Sequence, residues 1–189
     1  MKKILALTGS VKGIKTAVAL NQVISLIDTH YPEFQTEFLA IGDFNLEFSD
    51  GRPITQYNLD TQKVINAIMA ADAIIIASPT YQTSIPGALK NIFDLLPMDA
   101  LKEKVAAMII TASSPMYFMM AEQQLKPILS YMGAHVISKY VYIQDCHFDT
   151  HNTIVNEDIL KRLEDLSFDV ADALFHMDHH KLLKRQRKS

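Results

Sequence analysis

Residues 3 to 8 read as a continuous apolar strand that stops at a polar turn, and from about 14 to 29 the apolar positions open out to Ala17, Leu20, Val23, Ile24 and Ile27. Steps of three and four predict a helix with one buried face. The stretch "FQTEFLAI" then reads as a second strand, and a helix from about 59 to 70 leads into "DAIIIASP". Its unbroken isoleucine run predicts a strand buried on both faces, as in a parallel sheet. Beyond Pro79 the pattern gives a helix from about 86 to 96, the strand "KVAAMIITA", a helix from about 117 to 132, the strand "HVISKYVYI" and a last helix from about 156 to 176. Between the second strand and the second helix, "GDFNLEFSDGRPITQYN" carries Gly51, Pro53 and scattered polar residues. It reads as a long irregular connection, a feature often functional in compact domains.

Strand and helix thus alternate five times, which favours an α/β doubly wound sandwich with helices on both faces of a parallel sheet. Five strands are too few for an eight-stranded barrel. In open sheets of this kind ligands gather beyond the carboxyl ends of the strands, where strand order reverses. The loops to inspect are therefore "GSVKGIKT", "SPTYQTSIPG" and "ASSPMYF", after the first, third and fourth strands.

Composition narrows the class. At 189 residues, 49% of them hydrophobic and 21% charged, the chain is an ordinary globular one, expected to form a single domain over 1–176 with a basic tail over 177–189. The formal charge of -3 conceals Lys181, Lys184, Arg185, Arg187 and Lys188 at the C-terminus, without which 13 basic residues face 21 acidic ones. An acidic body argues against a nucleic-acid partner, and a solvated, frayed tail is the ordinary reading of the basic end. Cys146 is the only cysteine, so neither an internal disulfide nor a cysteine-rich zinc site is available, and a reducing cytoplasm is the expected compartment. The first apolar run is too brief for a secretory core, and no apolar segment approaches membrane-spanning length, so no membrane partner is expected.

The first loop invites a phosphate. A Walker-type loop needs four residues between its glycines and Lys-Ser/Thr directly after the second. Here three residues separate Gly9 from Gly13, and Ile14 precedes Lys15 and Thr16. The three-glycine dinucleotide fingerprint fails too, because Ser10 and Val11 stand where its second glycine belongs. A helix start nevertheless offers unpaired amides and a positive dipole end to an anion. Ser10, Lys12, Lys15 and Thr16 surround that point and suit one terminal phosphate; an ordinary turn in which Ser10 or Thr16 caps the helix is the alternative.

The second loop, "SPTYQTSIPGALKNIFDLLP", carries Ser78, Pro79, Tyr81, Pro86, Gly87, Leu89, Lys90, Asn91 and Asp94. It resembles the flavin-ring loop of the NADPH-dependent FMN reductase family, with its Ser-Pro-x-Tyr, Pro-Gly and Leu-Lys-Asn helix. The resemblance runs from the first strand to about residue 143. In the first loop Gly9, Ser10, Lys12 and Thr16 match a pattern that usually has arginine at the third of these places, so a point charge replaces a planar fork. In the third loop Ser113, Ser114 and Pro115 stand where the family often has glycines.

The resemblance implies a flavodoxin-like fold with a five-stranded parallel sheet in the order 2-1-3-4-5. It implies an NAD(P)H-dependent FMN reductase using FMN with NADPH or NADH, passing hydride on to free flavin, a quinone or another acceptor. The FMN phosphate would sit on Ser10, Lys12, Lys15, Thr16, Ala17 and Val18, and the ring against Pro79, Thr80, Tyr81 and Gln82 on one side and Ala112, Ser113 and Ser114 on another. No catalytic acid or base is implied, since the flavin carries the hydride chemistry.

Within the family, "GALKNIFDLLP" and "LKPIL" at 125 to 129 are similar to flavin reductases that supply sulfonate-type monooxygenases, which adds a flavin-dependent monooxygenase to the flavin and nicotinamide as an implied partner. Several such reductases have an extra tyrosine that produces a π-bulge in the preceding helix; Tyr117 stands near that helix start, but its spacing does not reproduce the insertion. The family commonly forms homodimers or homotetramers. "MYFMMA", apolar around most of a helix, is consistent with burial by a second subunit.

Other readings are weighed beside this one. A flavodoxin-like electron carrier without its own nicotinamide step would have a hydroxyl-rich phosphate loop and an acidic body, whereas Lys12 and Lys15 crowd this loop. A receiver domain lacks its acidic residues, since Thr8 and Gly9 occupy one required place and Ser78 and Pro79 the other. His176, His179 and His180 of "HMDHH" read as a solvated helix end sooner than as a metal site, and Cys146 beside His147 as an ordinary loop thiol.

Overall fold

The computed structural model describes residues 1–186, with side chains through residue 177. Five strands of hydrophobic sequence pair in parallel: β1 (Lys2–Thr8), β2 (Phe34–Ala40), β3 (Ala73–Pro79), β4 (Val105–Ala112) and β5 (His135–Val136), in the order β2-β1-β3-β4-β5, with a sixth segment β6 (Val141–Gln144) also pairing with β4. The helices are α1 (Ile14–His30), α2 (Leu59–Ala70), α3 (Gly87–Leu95), α4 (Lys126–Tyr131) and α5 (Glu157–Gln186).

Side chains alternate across each strand, and the alternation sorts the core into two layers. Leu5, Leu7, Ile74, Ile76, Met108 and Ile110 pack with α2, α3 and α4 on one face. Ile4, Ala6, Ala73, Ile75, Ala107 and Ile109 pack with α1 and α5 on the other. Every residue of β3 and β4 is buried, as the isoleucine run predicts. In α1 the buried face comprises Thr16, Ala19, Leu20, Val23 and Ile27, so Ala19 takes the place expected for Ala17, while Ala17 and Ile24 are half-buried.

The expected strand over 135 to 143 is broken. Val105 and Ala106 pair with His135 and Val136, whereas Ile109 pairs with Val141. The edge chain therefore takes two more residues than β4 over that interval, and the excess loops out between β5 and β6. A bulge of this sort is tolerated at a sheet edge because only one neighbour must be satisfied.

The expected helix over 117 to 132 also differs. Residues Pro115–Tyr117 form a single 3-10 turn, a π-helical turn covers Ala121–Leu125, and only Lys126–Tyr131 is α-helical. A π-helical turn is thus present, although Tyr117, whose spacing does not reproduce the tyrosine insertion, lies outside it. Two local causes are visible. Pro127 cannot donate, and its ring opposes the carbonyl four residues back, so a wider turn just before it relieves the conflict. Met120, Ala121 and Leu125 are all buried, and an i to i+5 turn lets residues five apart share a side. "MYFMMA" is consequently not one apolar helix: Met116, Phe118 and Met119 are exposed while Met120 and Ala121 are buried.

The long connection over 42 to 58 is irregular as expected, yet firmly held. The Glu47 carboxylate accepts hydrogen bonds from Asn58 N at 2.5 Å and Arg52 at 2.6 Å, and these hold it below the usual carboxylate range. Asn91 of α3 bonds both the Glu47 carbonyl and Ser49 N, at 2.9 Å each. The last helix runs past the expected boundary at 176 to Gln186; the basic side chains of the expected tail, and those of His179 and His180, lie outside the described ones. His176 Nδ1 lies 2.7 Å from the carbonyl of Asp172, and no metal-holding group of His, Cys, Asp or Glu occurs among the described residues. Among the described residues, no helix is long and apolar enough to cross a membrane.

Candidate functional site

The carboxyl ends of β1, β3, β4 and β6 open on a cavity of about 430 Å³. The sheet itself builds its floor. Gly9 N extends the β1–β3 ladder by donating to the Ala77 carbonyl at 2.7 Å, and Thr80 N donates to the Thr111 carbonyl at 2.9 Å. The three loops chosen from the sequence therefore leave the sheet side by side.

The turn into α1 is organised by hydroxyls. Ser10 N donates to Thr8 Oγ1 at 3.2 Å, and Ser10 Oγ accepts from Gly13 N at 2.5 Å. A Cβ at Gly13 would stand 2.3 Å from that Oγ, and one at Gly42 would stand 2.2 Å from the Val11 carbonyl oxygen, so both glycines are needed for the close turn. Ser10 satisfies one of the four amides that helix geometry leaves open, and those of Ile14, Lys15 and Thr16 remain at the cavity wall. The Thr16 hydroxyl lies 2.8 Å from that of Thr111, a buried link between α1 and β4. Thr16 thus serves the fold, whereas Ser10 caps the turn, joining the two readings left open for this loop.

The second loop turns tightly. Tyr81 and Ser84 exchange backbone hydrogen bonds at 2.9 and 3.0 Å around Gln82 and Thr83, whose φ values are 48° and 65°. Such left-handed conformations are uncommon for non-glycine residues and turn the chain back within four positions. Tyr81 is 48% exposed on the cavity rim. Thr80 lines the wall, and its hydroxyl is buried without a hydrogen-bond partner.

The structure brings Ser10, Lys12, Lys15, Thr16, Pro79, Thr80, Tyr81, Ala112 and Ser113 to one wall, as the sequence predicts. It does not place Ala17, Val18, Gln82 or Ser114 there: the first two stand further along α1, Gln82 is at the exposed loop tip, and the Ser114 carbonyl is taken by the Tyr142 hydroxyl. Gly13, Ile14, Thr111, Asp145 and Asn152 are added. Gly13, Ile14 and Thr111 were within or next to the chosen stretches. Asp145 and Asn152 follow the last strand, outside the three loops chosen from the sequence.

Electrostatically the cavity is mixed. Lys15 Nζ bonds Asp145 Oδ1 at 2.8 Å and stands 5.3 Å from the centre of the Phe148 ring. Cys146 is exposed, and His147 Nδ1 accepts from Gln144 N at 3.1 Å, an arrangement that caps a turn without activating the thiol. The residues fit FMN: open amides and Lys12 for a phosphate, an unpartnered Thr80 hydroxyl, and the Tyr81 side chain beside the main chain of Pro79 and Thr80 for a flat ring.

Comparison with known proteins agrees. The chain matches the NADPH-dependent FMN reductase family over residues 2–148. It is 37% identical over 169 residues to an NAD(P)H-dependent FAD/FMN reductase of Geobacillus thermodenitrificans, covering 89% of this chain and 91% of that one. It is 26% identical over 183 residues to the NADH-dependent FMN reductase SfnF of Pseudomonas fluorescens, covering 96% of each. The fold resembles that of FerB, a flavoenzyme NAD(P)H:acceptor oxidoreductase from Paracoccus denitrificans, with a TM-score of 0.73 at 22% identity, covering 94% of this chain and 99% of that one.

Proposed function

The chain belongs to the NADPH-dependent FMN reductase family and is an NAD(P)H-dependent FMN reductase, and from that premise we propose that its flavin occupies the cavity at the carboxyl edge of the sheet. The observation that carries this reading is the convergence of the amino end of α1, Lys12 and the Pro79–Tyr81 segment on one cavity wall. Ser10 and Lys12 hold the phosphate end, with the amides of Ile14, Lys15 and Thr16 as donors. Pro79, Thr80, Tyr81, Ala112 and Ser113 flank the ring. When bound, the flavin accepts hydride from the nicotinamide and hands its electrons to free flavin, a quinone or another acceptor. The chain's own residues bind and orient; none is assigned a proton.

The test separates phosphate from ring. Lys12→Met lowers FMN affinity about five-fold and leaves riboflavin, which lacks the phosphate, unchanged in fluorescence titrations. Equal affinity of wild type and variant for FMN overturns the placement.

Two finer points belong to the same reading. The reduced flavin passes to a flavin-dependent monooxygenase, supported by the "GALKNIFDLLP" and "LKPIL" stretches and by the π-helical turn at Ala121–Leu125. The chain works in the cytoplasm as a homodimer or homotetramer, supported by Met116, Phe118 and Met119 standing exposed together. Light scattering that gives a monomer at micromolar concentration rejects the second point.

A further inference from the structure

The phosphate end of the cavity contains a group that works against it. Lys12, Lys15 and Asp145 are the charged residues of the wall, and Asp145 already holds Lys15 at 2.8 Å. An FMN phosphate carries between one and two negative charges near neutral pH and would enter beside a carboxylate. One of the two lysines is then shared with a competitor.

Asp145 is not on a slack loop. It opens the 3-10 turn Asp145–His147, capped at one end by the hydrogen bond from Gln144 N to His147 Nδ1 at 3.1 Å and closed by Phe148 N donating to the Asp145 carbonyl at 3.2 Å. Phe148 in turn pairs with Ile154 across a turn in which Asp149 accepts from His151 N and Thr153 N at 2.9 and 2.8 Å. The carboxylate is therefore fixed at the cavity by its backbone, while its side chain stays 53% exposed.

We propose that Asp145 is a specificity-determining residue that weakens the hold on the flavin phosphate, by engaging Lys15 and repelling the phosphate, so that FMN exchanges between turnovers. This rests on the placement of FMN in the cavity argued above. It makes one side chain a determinant of how tightly the flavin is held.

Four variants test it, with FMN and riboflavin titrated by fluorescence quenching at low and high KCl and dissociation followed by stopped flow. Asp145→Asn binds FMN about five-fold tighter, as expected for removing one like charge at a solvent-exposed site, and the gain shrinks in high salt. Riboflavin affinity stays unchanged and reports that the variant is folded. Lys15→Met weakens FMN because the carboxylate is left bare, and adding Asp145→Asn to Lys15→Met restores it. A merely structural ion pair would not show that rescue. FMN affinity that is unchanged or lower in Asp145→Asn overturns the proposal, a fall meaning that Asp145 steers Lys15 onto the phosphate. Lys12→Met distinguishes the two layers: if it lowers FMN affinity while Asp145→Asn does not raise it, the cavity placement stands and this inference fails; if neither variant moves FMN, the placement itself fails.

Discussion

The two ends of the cavity are built in different ways. At the end proposed to take the phosphate, Thr8, Ser10 and Gly13 satisfy one another within six positions, so a short peptide segment carries its own turn. At the ring end nothing is local except the Tyr81–Ser84 turn. Thr80 N reaches Thr111, the Ser84 hydroxyl reaches Gln124 at 3.2 Å, and two tyrosines of the edge chain donate to carbonyls of the third loop. Tyr140 bonds the Phe118 carbonyl at 2.5 Å, and Tyr142 bonds that of Ser114. The difference teaches that a phosphate cradle is a sequence motif whereas a ring slot is a tertiary product. The first responds to changes inside its own loop, and the second to changes some thirty residues away.

The largest effect is expected where the local motif packs against backbone from outside its own loop. A Cβ at Gly42 would stand 2.2 Å from the Val11 carbonyl, which belongs to backbone and cannot rotate aside. Gly42→Ala should destabilise the chain by about 2 kcal/mol, the usual cost of overpacking. It should lower the melting temperature by about 4–8 °C and weaken FMN more than riboflavin. Calorimetry and flavin titration check both. A variant that melts as wild type would show that the phosphate turn is pliable and would break the contrast.

Next comes the cap. Ser10 is 4% exposed, and without its hydroxyl the Gly13 amide loses its partner. Ser10→Ala should cost about 1 kcal/mol, the penalty for an unmade hydrogen bond. FMN affinity should fall about three-fold, by a comparable share of that energy, with riboflavin less affected. Urea denaturation and the same titration measure the two effects.

This contrast also explains what could be read from the chain. Strand order and the ring-side wall residues Pro79, Thr80, Tyr81, Ala112 and Ser113 came with the family resemblance. The strand–helix alternation, the two-faced burial of β3 and β4, and Ser10, Lys12, Lys15 and Thr16 were legible because each depends on period, on a turn or on a run of neighbours. Asp145 and Asn152 were not, since their place at the wall depends on β6 coming alongside β4 after two residues have looped out. Nor does any residue type announce a π turn. Pro127 and the five-residue step from Met120 to Leu125 were its traces, and the same residues also suit an ordinary helix start. Ala17 and Val18 followed from counting along a loop pattern, but by that point in α1 each amide already has an intrahelical partner.

The smallest effect concerns the tyrosine tethers, and it acts on the ring end alone. Burial pushes the Tyr140 and Tyr142 hydroxyls above their ordinary value, with the nearby Glu122 carboxylate adding to the effect at Tyr140. Only the protonated hydroxyl can donate to a carbonyl. A folded pKa raised above the unfolded one means that the contribution is complete below about pH 10, the ordinary tyrosine value, and disappears as pH rises through the higher folded values. The double variant Tyr140→Phe, Tyr142→Phe should therefore be less stable than wild type by about 1–2 kcal/mol at pH 8, from two lost hydrogen bonds. The gap should close as the pH passes 10. Urea denaturation of the flavin-free protein is the suitable measurement, because it reads the fold alone. A gap that stays constant from pH 8 to 11 would mean that packing of the two rings, not their hydroxyls, holds the third loop. The ring end would then owe nothing to these two distant hydrogen bonds.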